Sequence, residues 1–194
     1  MTYKVKEIFN SVQGEGHYAG IQTIFIRLSG CNLKCKFCDT DHEKGKKMTV
    51  DEIMTQLGNF LPTRRVCITG GEPMLHDLIP LCDKLAKWDY WISVETNGTK
   101  DLKGLSVHVD WIAMSPKIRK KTVVTNYHLA DEVKLVVNNE DPRKIVDPLI
   151  KHVEHWWLQP EGNKRKNIET ALSIMREDPR WGLSLQLQKI INIR

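Results

Sequence analysis

Short apolar runs, each ending in a polar segment that contains glycine or proline, recur through this chain and restrict its fold more than any other feature. Thr23-Ile24-Phe25-Ile26-Arg27-Leu28-Ser29, Arg65-Val66-Cys67-Ile68-Thr69 and Trp91-Ile92-Ser93-Val94-Glu95 read as strands. So do Asp110-Trp111-Ile112-Ala113-Met114, Glu132-Val133-Lys134-Leu135-Val136-Val137 and His155-Trp156-Trp157-Leu158, with Gly182 to Leu185 as a last short strand. Helices are expected between them. One runs from a Thr49 cap with Glu52 three residues on through Phe60, and the others from about His76 to Lys87, from Pro142 to about Lys151 and from Asn167 to Glu177. Glu7 to Gly20 reads as polar and turn-rich. Strands alternating with helices predict an α/β fold with a mostly parallel sheet. At 194 residues, with no linker, fixed-period repeat or low-complexity tract, one domain over 1–194 is expected.

Loops at the carboxyl ends of parallel strands build the ligand site. Five segments should therefore share one rim: the stretch from Gly30 to Thr40, Gly70-Gly71-Glu72-Pro73, Glu95-Thr96-Asn97-Gly98, Ser115-Pro116-Lys117 and Gln159-Pro160-Glu161-Gly162. The first carries Cys31, Cys35 and Cys38, spaced C-x3-C-x2-C with no fourth cysteine at ligand distance. Thiolates suit iron–sulfur clusters, zinc or copper. A four-iron cluster is normally held by four thiolates, so three can hold three irons and leave one open to a small molecule. A Cys3His zinc site completed by His42 is the alternative, and inert cysteines a third. Convergence of the other rim segments favours catalysis over structural zinc.

Five cysteines, an odd number with three crowded together, argue against a disulfide framework. Cys67 and Cys82 fall in apolar elements and read as core. No stretch approaches the 18 or so apolar residues of a membrane span, and Met1 to Glu7 lacks the apolar core of a signal peptide. Cytoplasm is the expectation. The net charge of +5 arises partly from basic runs at 44–47, 117–121 and 164–166. None is interleaved with aromatics as a nucleic-acid stacking platform would be, so solvated surface is expected and no nucleic-acid partner.

Two charged residues stand out. Glu15 lies between Gly14 and Gly16, where tight backbone folding can hold one carboxylate at a defined place. Arg27 lies inside an apolar run, which implies either a paired core residue or a ligand for a substrate anion.

Several blocks together resemble the radical S-adenosylmethionine superfamily and, within it, the 7-carboxy-7-deazaguanine synthase family. They are Ser11-Val12-Gln13-Gly14-Glu15-Gly16, Phe25 to Leu33, Cys38-Asp39-Thr40, the Gly70 to Pro73 turn, Val94 to Gly98, Ser115-Pro116-Lys117, Leu158-Gln159-Pro160 and Leu185-Gln186-Leu187-Gln188-Lys189. The resemblance implies a partial TIM-like barrel of about six mostly parallel strands with a reduced set of covering helices. It implies a [4Fe–4S] cluster on Cys31, Cys35 and Cys38, with the methionyl group of S-adenosylmethionine on the free iron. Gly70, Gly71 and Glu72 would position the methionyl amine, and Glu95, Ser115, Lys117 and Gln159 would hold the rest of that cofactor, with Asn97 there or at the substrate. Gln13 and Glu15 would read the polar edge of a pterin. Arg27 would pair with its carboxylate, Gln188 would stand at the same corner, and Thr40 would present its hydroxyl to Mg2+. Glu15 and Arg27 would thus carry the catalytic contacts.

The implied reaction is radical ring contraction of 6-carboxy-5,6,7,8-tetrahydropterin to 7-carboxy-7-deazaguanine with loss of ammonia. It would need an electron donor such as flavodoxin or ferredoxin. The family commonly ends in a Gln-x-His-Lys arrangement, whereas this chain has Gln186-Leu187-Gln188-Lys189, and glutamine cannot carry positive charge. A homodimer could protect an exposed sheet edge, with Trp156-Trp157 a candidate for that interface. A glycyl-radical activating enzyme and a zinc-binding nucleic-acid module are the rival readings.

Overall fold

Strand alternation sends successive side chains to opposite faces, and here one face is apolar and the other polar. The computed structural model describes residues 1–102, 104–117, 127–138, 141–145 and 153–194. Nine strands form one sheet: β1 (Thr2–Val12), β2 (Gln22–Leu28), β3 (Lys46–Thr49), β4 (Arg65–Gly70), β5 (Trp91–Thr96), β6 (Trp111–Met114), β7 (Glu132–Val137), β8 (His155–Pro160) and β9 (Trp181–Leu183). Their order is β3-β1-β2-β4-β5-β6-β7-β8-β9. Every pair from β2 to β9 is parallel, and β1 pairs antiparallel with both β2 and β3. The expected set of about six parallel strands is therefore present as an open, barrel-like sheet, extended by β9 and by an antiparallel flank.

That flank differs from the sequence expectation. Residues 7–12, read as part of a turn-rich segment, continue β1, and the turn begins only after Val12. Residues 7–12 pair with β2 and residues 2–5 with β3, and these backbone bonds outweigh the polar side chains that hid the strand. Phe9 stacks on Phe25 across the β1/β2 pair at 5.1 Å.

The outer face is the core. Ile26, Leu28, Ile68, Val94, Ile112, Val133, Leu135 and Leu158 are all at most 2% exposed. Helices α1 (Val50–Leu57), α2 (Ile79–Ala86) and α3 (Arg165–Glu177) contribute buried residues such as Ile53, Leu57, Leu81, Leu85 and Ile174 to the same cluster. The start of α1 is a capping box: Glu52 N–H donates to Thr49 Oγ1 (3.2 Å) and Thr49 N–H to Glu52 Oε2 (2.7 Å). The α2 helix begins three residues later than the apolar periodicity suggests, because Asp77 Oδ1 accepts from Ile79 N–H (3.2 Å) after a preceding 3-10 turn at Pro73–Leu75. Pro142–Ile145 forms a 3-10 turn, and the rest of the helix expected to Lys151 lies outside the described residues. Cys67 and Cys82 are fully buried, as their apolar settings imply.

Ile26 has no exposure and sits between β1 and β4. Ile26→Ala should lower unfolding free energy by about 2–5 kcal/mol, read as a fall in the denaturation midpoint at unchanged m-value.

Candidate active site

Because β2 and its neighbours are parallel, the ends at Leu28, Gly70, Thr96, Met114, Val137 and Pro160 open toward one rim. The inner side chains of these strands, Arg27, Thr69, Glu95, Lys134 and Gln159, line a cavity of about 1000 Å3. Its wall also holds Cys31, Cys35, Cys38 and Thr40 from the loop after β2, Gln13 and Glu15 from the turn after β1, and Gly70, Gly71, Asn97, Ser115, Lys117 and Gln188. Fold topology thus gathers in one place nearly all the residues singled out above. Glu72 is the exception.

Glu72 has no exposure. Its Oε1 accepts from Thr96 Oγ1 (2.7 Å) and Met74 N–H (3.0 Å), and its Oε2 from Asn97 N–H (2.7 Å). Burial pushes its carboxyl above the usual range, against the pull of those donors. Glu72 thus braces the Gly70–Gly71 turn and Asn97 through these three hydrogen bonds.

The cysteine loop is pinned against that turn. Glu72 N–H donates to Gly30 O (2.8 Å) and Gly71 N–H to Leu28 O (3.2 Å). A Cβ on Gly71 would lie 2.2 Å from Gly30 O and 2.8 Å from Cys31 Cβ, so only glycine permits this approach. Cys31 and Cys35 are half-buried and Cys38 is exposed, all as free thiols. Burial raises the Cys31 thiol, and the Glu72 carboxylate adds to that; a bound cluster's own charge would reverse the balance. Among the described residues no three His, Cys, Asp or Glu side chains close on a single point. His42 lines the same cavity, and its buried Nδ1 lacks a partner. Asn97 ties the neighbouring loop to this one, its Nδ2 donating to Asn32 Oδ1 (3.1 Å) while its Oδ1 accepts from Thr99 Oγ1 (2.7 Å).

On the opposite wall Glu15 is held from several sides. Gly16 adopts φ +70°, and a Cβ there would meet the Glu132 carboxylate at 2.5 Å. Its N–H donates to Ser184 Oγ (2.8 Å), and His17 N–H donates to Glu132 Oε2 (2.8 Å). Glu15 Oε1 accepts from Gln186 Nε2 (3.0 Å) and Gln188 Nε2 (3.2 Å), and its Oε2 from Lys134 Nζ (3.1 Å). Burial alone would raise this carboxyl, yet the Lys134 ammonium and the amide donors hold it at about 2.

Arg27 is paired, though with neither Glu15 nor an aspartate. Its Nε donates to Glu7 Oε1 (2.8 Å), its partner in the β1/β2 register. The terminal guanidinium nitrogens meet no acceptor among the described residues, and Arg27 lines the cavity.

Ser115 Oγ accepts from Lys117 Nζ (2.6 Å) and donates to Lys134 O (3.1 Å). Burial and the nearby Lys134 charge hold the Lys117 amine below its usual range. Gln159 Oε1 and Gln188 Oε1 are buried without partners among the described residues, and both residues line the cavity. Such acceptors fit a ligand bearing N–H or O–H donors. Three thiols on one cavity-lining loop, the close-packed glycine turn and these orphan acceptors suit a cluster with a nucleoside cofactor.

Lys134, Gln186, Thr69 and Asp39 were not singled out as site residues from sequence. Lys134 carried a usable signal, since it interrupts an apolar strand as Arg27 does. Asp39 pairs with Lys189 and accepts from Gln186 Nε2 (3.2 Å), which links the cysteine loop to the C-terminal segment. Only the folded chain brings these together.

Gly71→Ala should leave the outer core intact but displace the cysteine loop, and iron bound per chain should fall by roughly half or more after anaerobic reconstitution, because backbone cannot yield to a Cβ. Iron assay beside the far-UV spectrum checks this.

Comparisons with known proteins agree with this geometry. The Radical SAM superfamily profile matches residues 25–142. The 7-carboxy-7-deazaguanine synthase of Bacteroides thetaiotaomicron is 41% identical over 194 residues, covering 100% of both chains. That of Burkholderia multivorans is 35% identical over 216 residues, again covering 100% of both. The crystal structure of QueE from Escherichia coli superposes with TM-score 0.79 at 28% identity, covering 96% of this chain and 95% of that one. Membership of this superfamily implies a [4Fe–4S] cluster and S-adenosylmethionine. With thiols, glycine turn and polar wall on one rim of the same open barrel, this chain belongs to the 7-carboxy-7-deazaguanine synthase family of radical S-adenosylmethionine enzymes.

Proposed function

We propose that this chain, as one domain over 1–194, is a carbon–nitrogen lyase that converts 6-carboxy-5,6,7,8-tetrahydropterin to 7-carboxy-7-deazaguanine with loss of ammonia. The observation that carries the reading is one cavity lined both by Cys31, Cys35 and Cys38 and by Glu15 and Arg27. When bound, the cluster and S-adenosylmethionine supply one-electron cleavage of the sulfonium and the hydrogen-abstracting power that follows.

The chain's own residues supply recognition and placement. Cys31, Cys35 and Cys38 hold the cluster. Gly70 and Gly71 receive the methionyl amine on the turn that Glu72 braces. Glu95, Ser115, Lys117 and Gln159 hold the remainder of the cofactor, and Asn97 keeps their loop against the cysteine loop. Gln13 and the ionised Glu15 accept from the N–H edge of the pterin, with Gln188 beside them. The guanidinium nitrogens of Arg27 left over from Glu7 take the substrate carboxylate, a pairing that favours planar, two-point contact. Thr40 offers a hydroxyl to a Mg2+ shared with that carboxylate, as suits a hard cation. Fixed placement matters because hydrogen transfer needs close, aligned approach.

The reading includes a flavodoxin- or ferredoxin-like electron donor, a homodimer, a cytoplasmic setting and no nucleic-acid partner. No helix among the described residues is long and apolar enough to cross a membrane. Trp156, the interface candidate, already packs edge-on against Trp181 at 5.1 Å, which favours an internal role for that ring.

Anaerobic incubation with the pterin, Mg2+, reductant and S-adenosylmethionine should release ammonia and the deazapurine in equal amounts, with the nucleoside cofactor not consumed. A fully iron-loaded protein that yields neither product overturns the proposal. Arg27→Met should raise KM for the pterin at least about tenfold through loss of the carboxylate pair, with S-adenosylmethionine affinity unchanged.

A further inference from the structure

We propose that Lys134 is a positioning residue that ties the substrate-reading carboxylate of Glu15 to the cofactor-side carboxylate of Glu95 through one buried ammonium. It thereby sets where the two ligands stand relative to each other. This rests on the substrate reading given above.

Lys134 occupies the middle of β7 with a side chain only 4% exposed. Its Nζ donates to Glu15 Oε2 at 3.1 Å and to Glu95 Oε1 at 2.9 Å. Each carboxylate is itself a junction. Glu15 takes Gln186 and Gln188 from the C-terminal segment, while Glu95 takes Thr69 Oγ1 (3.0 Å) and Gln13 Nε2 (3.4 Å). A continuous path of hydrogen bonds therefore crosses the cavity floor from the turn after β1 and the C-terminal segment to β4 and β5, and Lys134 is its centre.

Stability alone does not account for this arrangement. A buried ion triad replaced by well-packed apolar residues is often as stable or more so. What the triad gives is direction: an ammonium with three donors and no acceptor fixes two carboxylates at set distances. Burial disfavours the ammonium, but Glu95, Glu15 and Glu132 together keep it protonated, so it is no proton donor to substrate at neutral pH. The other charges lining the cavity around this group are Lys117 from the loop after β6, Arg27 from β2 and Asp39 from the cysteine loop.

The test is equilibrium binding of the pterin to anaerobically prepared holoenzyme without reductant, by calorimetry across about pH 5 to pH 8, a range set by ordinary carboxyl values. Wild-type affinity should be flat over that range, since the Glu15 carboxyl titrates at about 2. Lys134→Met should bind at least about tenfold more weakly, and the deficit should grow toward acid as Glu15, left with amide donors but no cation, takes up a proton. In turnover the same variant should lose kcat as well as gain KM. A merely structural lysine would lower the melting temperature and leave the pH profile unmoved. If Lys134→Met does not fold, Lys134→Met with Glu95→Gln, which removes one of the two unpaired charges, carries the same binding expectation. A folded variant that binds within about twofold of wild type with an unchanged pH profile overturns the inference alone. A wild-type protein that does not bind the pterin removes the substrate assignment and this role with it.

Discussion

An open sheet of parallel strands has an inner face that its own helices do not cover, and this chain fills that face with charge. The inner row of Arg27, Thr69, Glu95, Lys134 and Gln159 alternates with the apolar outer row of Ile26, Ile68, Val94, Val133 and Leu158. Burying charge is tolerated only with partners, so each inner residue needs another element to complete it. Glu7 completes Arg27 from β1. Glu15 completes Lys134 from the turn after β1, with Glu95 on its other side. Cavity-lining charges and structural ion pairs are therefore the same residues, and the cavity arises with the fold.

The turn after β1 does two jobs at opposite ends of the sheet. Glu15 reaches into the cavity, while His17 and Tyr18 pack among residues that begin the strands. His17 stacks on Trp111 at 5.1 Å and Tyr18 meets Trp91 edge-on at 4.9 Å. Arg65 lies over the Trp91 ring at 3.2 Å. Aromatic packing at that end anchors the turn, and the two hydrogen bonds at Gly16 and His17 carry its rigidity up to Glu15. The carboxyl end is left to polar loops, as parallel barrels generally divide stability from chemistry. The C-terminal segment then joins the two walls: Leu187 N–H donates to Gly14 O (2.9 Å), and Lys189 pairs with Asp39 in the cysteine loop.

Much of this was legible because period-two patterns and Gly- or Pro-bearing strand ends are local features. The strand β7 was readable from Glu132 to Val137 without knowing its neighbours. The strand β1 was not, since Glu7, Asn10 and Ser11 break its apolar alternation and only pairing with β2 makes residues 7–12 a strand. Arg27 was noticed as a charge in an apolar run, but its partner Glu7 could not be, being set by a register that shifts at a bulge between Val5 and Glu7. Lys134 met the same criterion as Arg27 and should have been ranked with it. Glu72 shows the opposite limit: its turn motif was legible, but the bonds of its carboxylate to Thr96 and Asn97 depend on the fold.

Gln188 stands where the family commonly carries histidine, and its surroundings say what a neutral amide does there. Its Nε2 donates to Glu15, not to an acidic partner of Arg27. A donor at that point favours the ionised carboxylate whether or not it bears charge, so Gln188 helps keep Glu15 ionised. The charge on the far side is left to arginine. Arg27 and Arg194 approach the same Phe9 ring, at 5.7 Å and 5.1 Å from its centroid, and share Glu7 through its two oxygens. Two guanidinium groups against one carboxylate leave that wall net positive without a histidine. Positive charge at this wall of the cavity therefore comes from Arg27 and Arg194, and the residue at 188 contributes an amide donor.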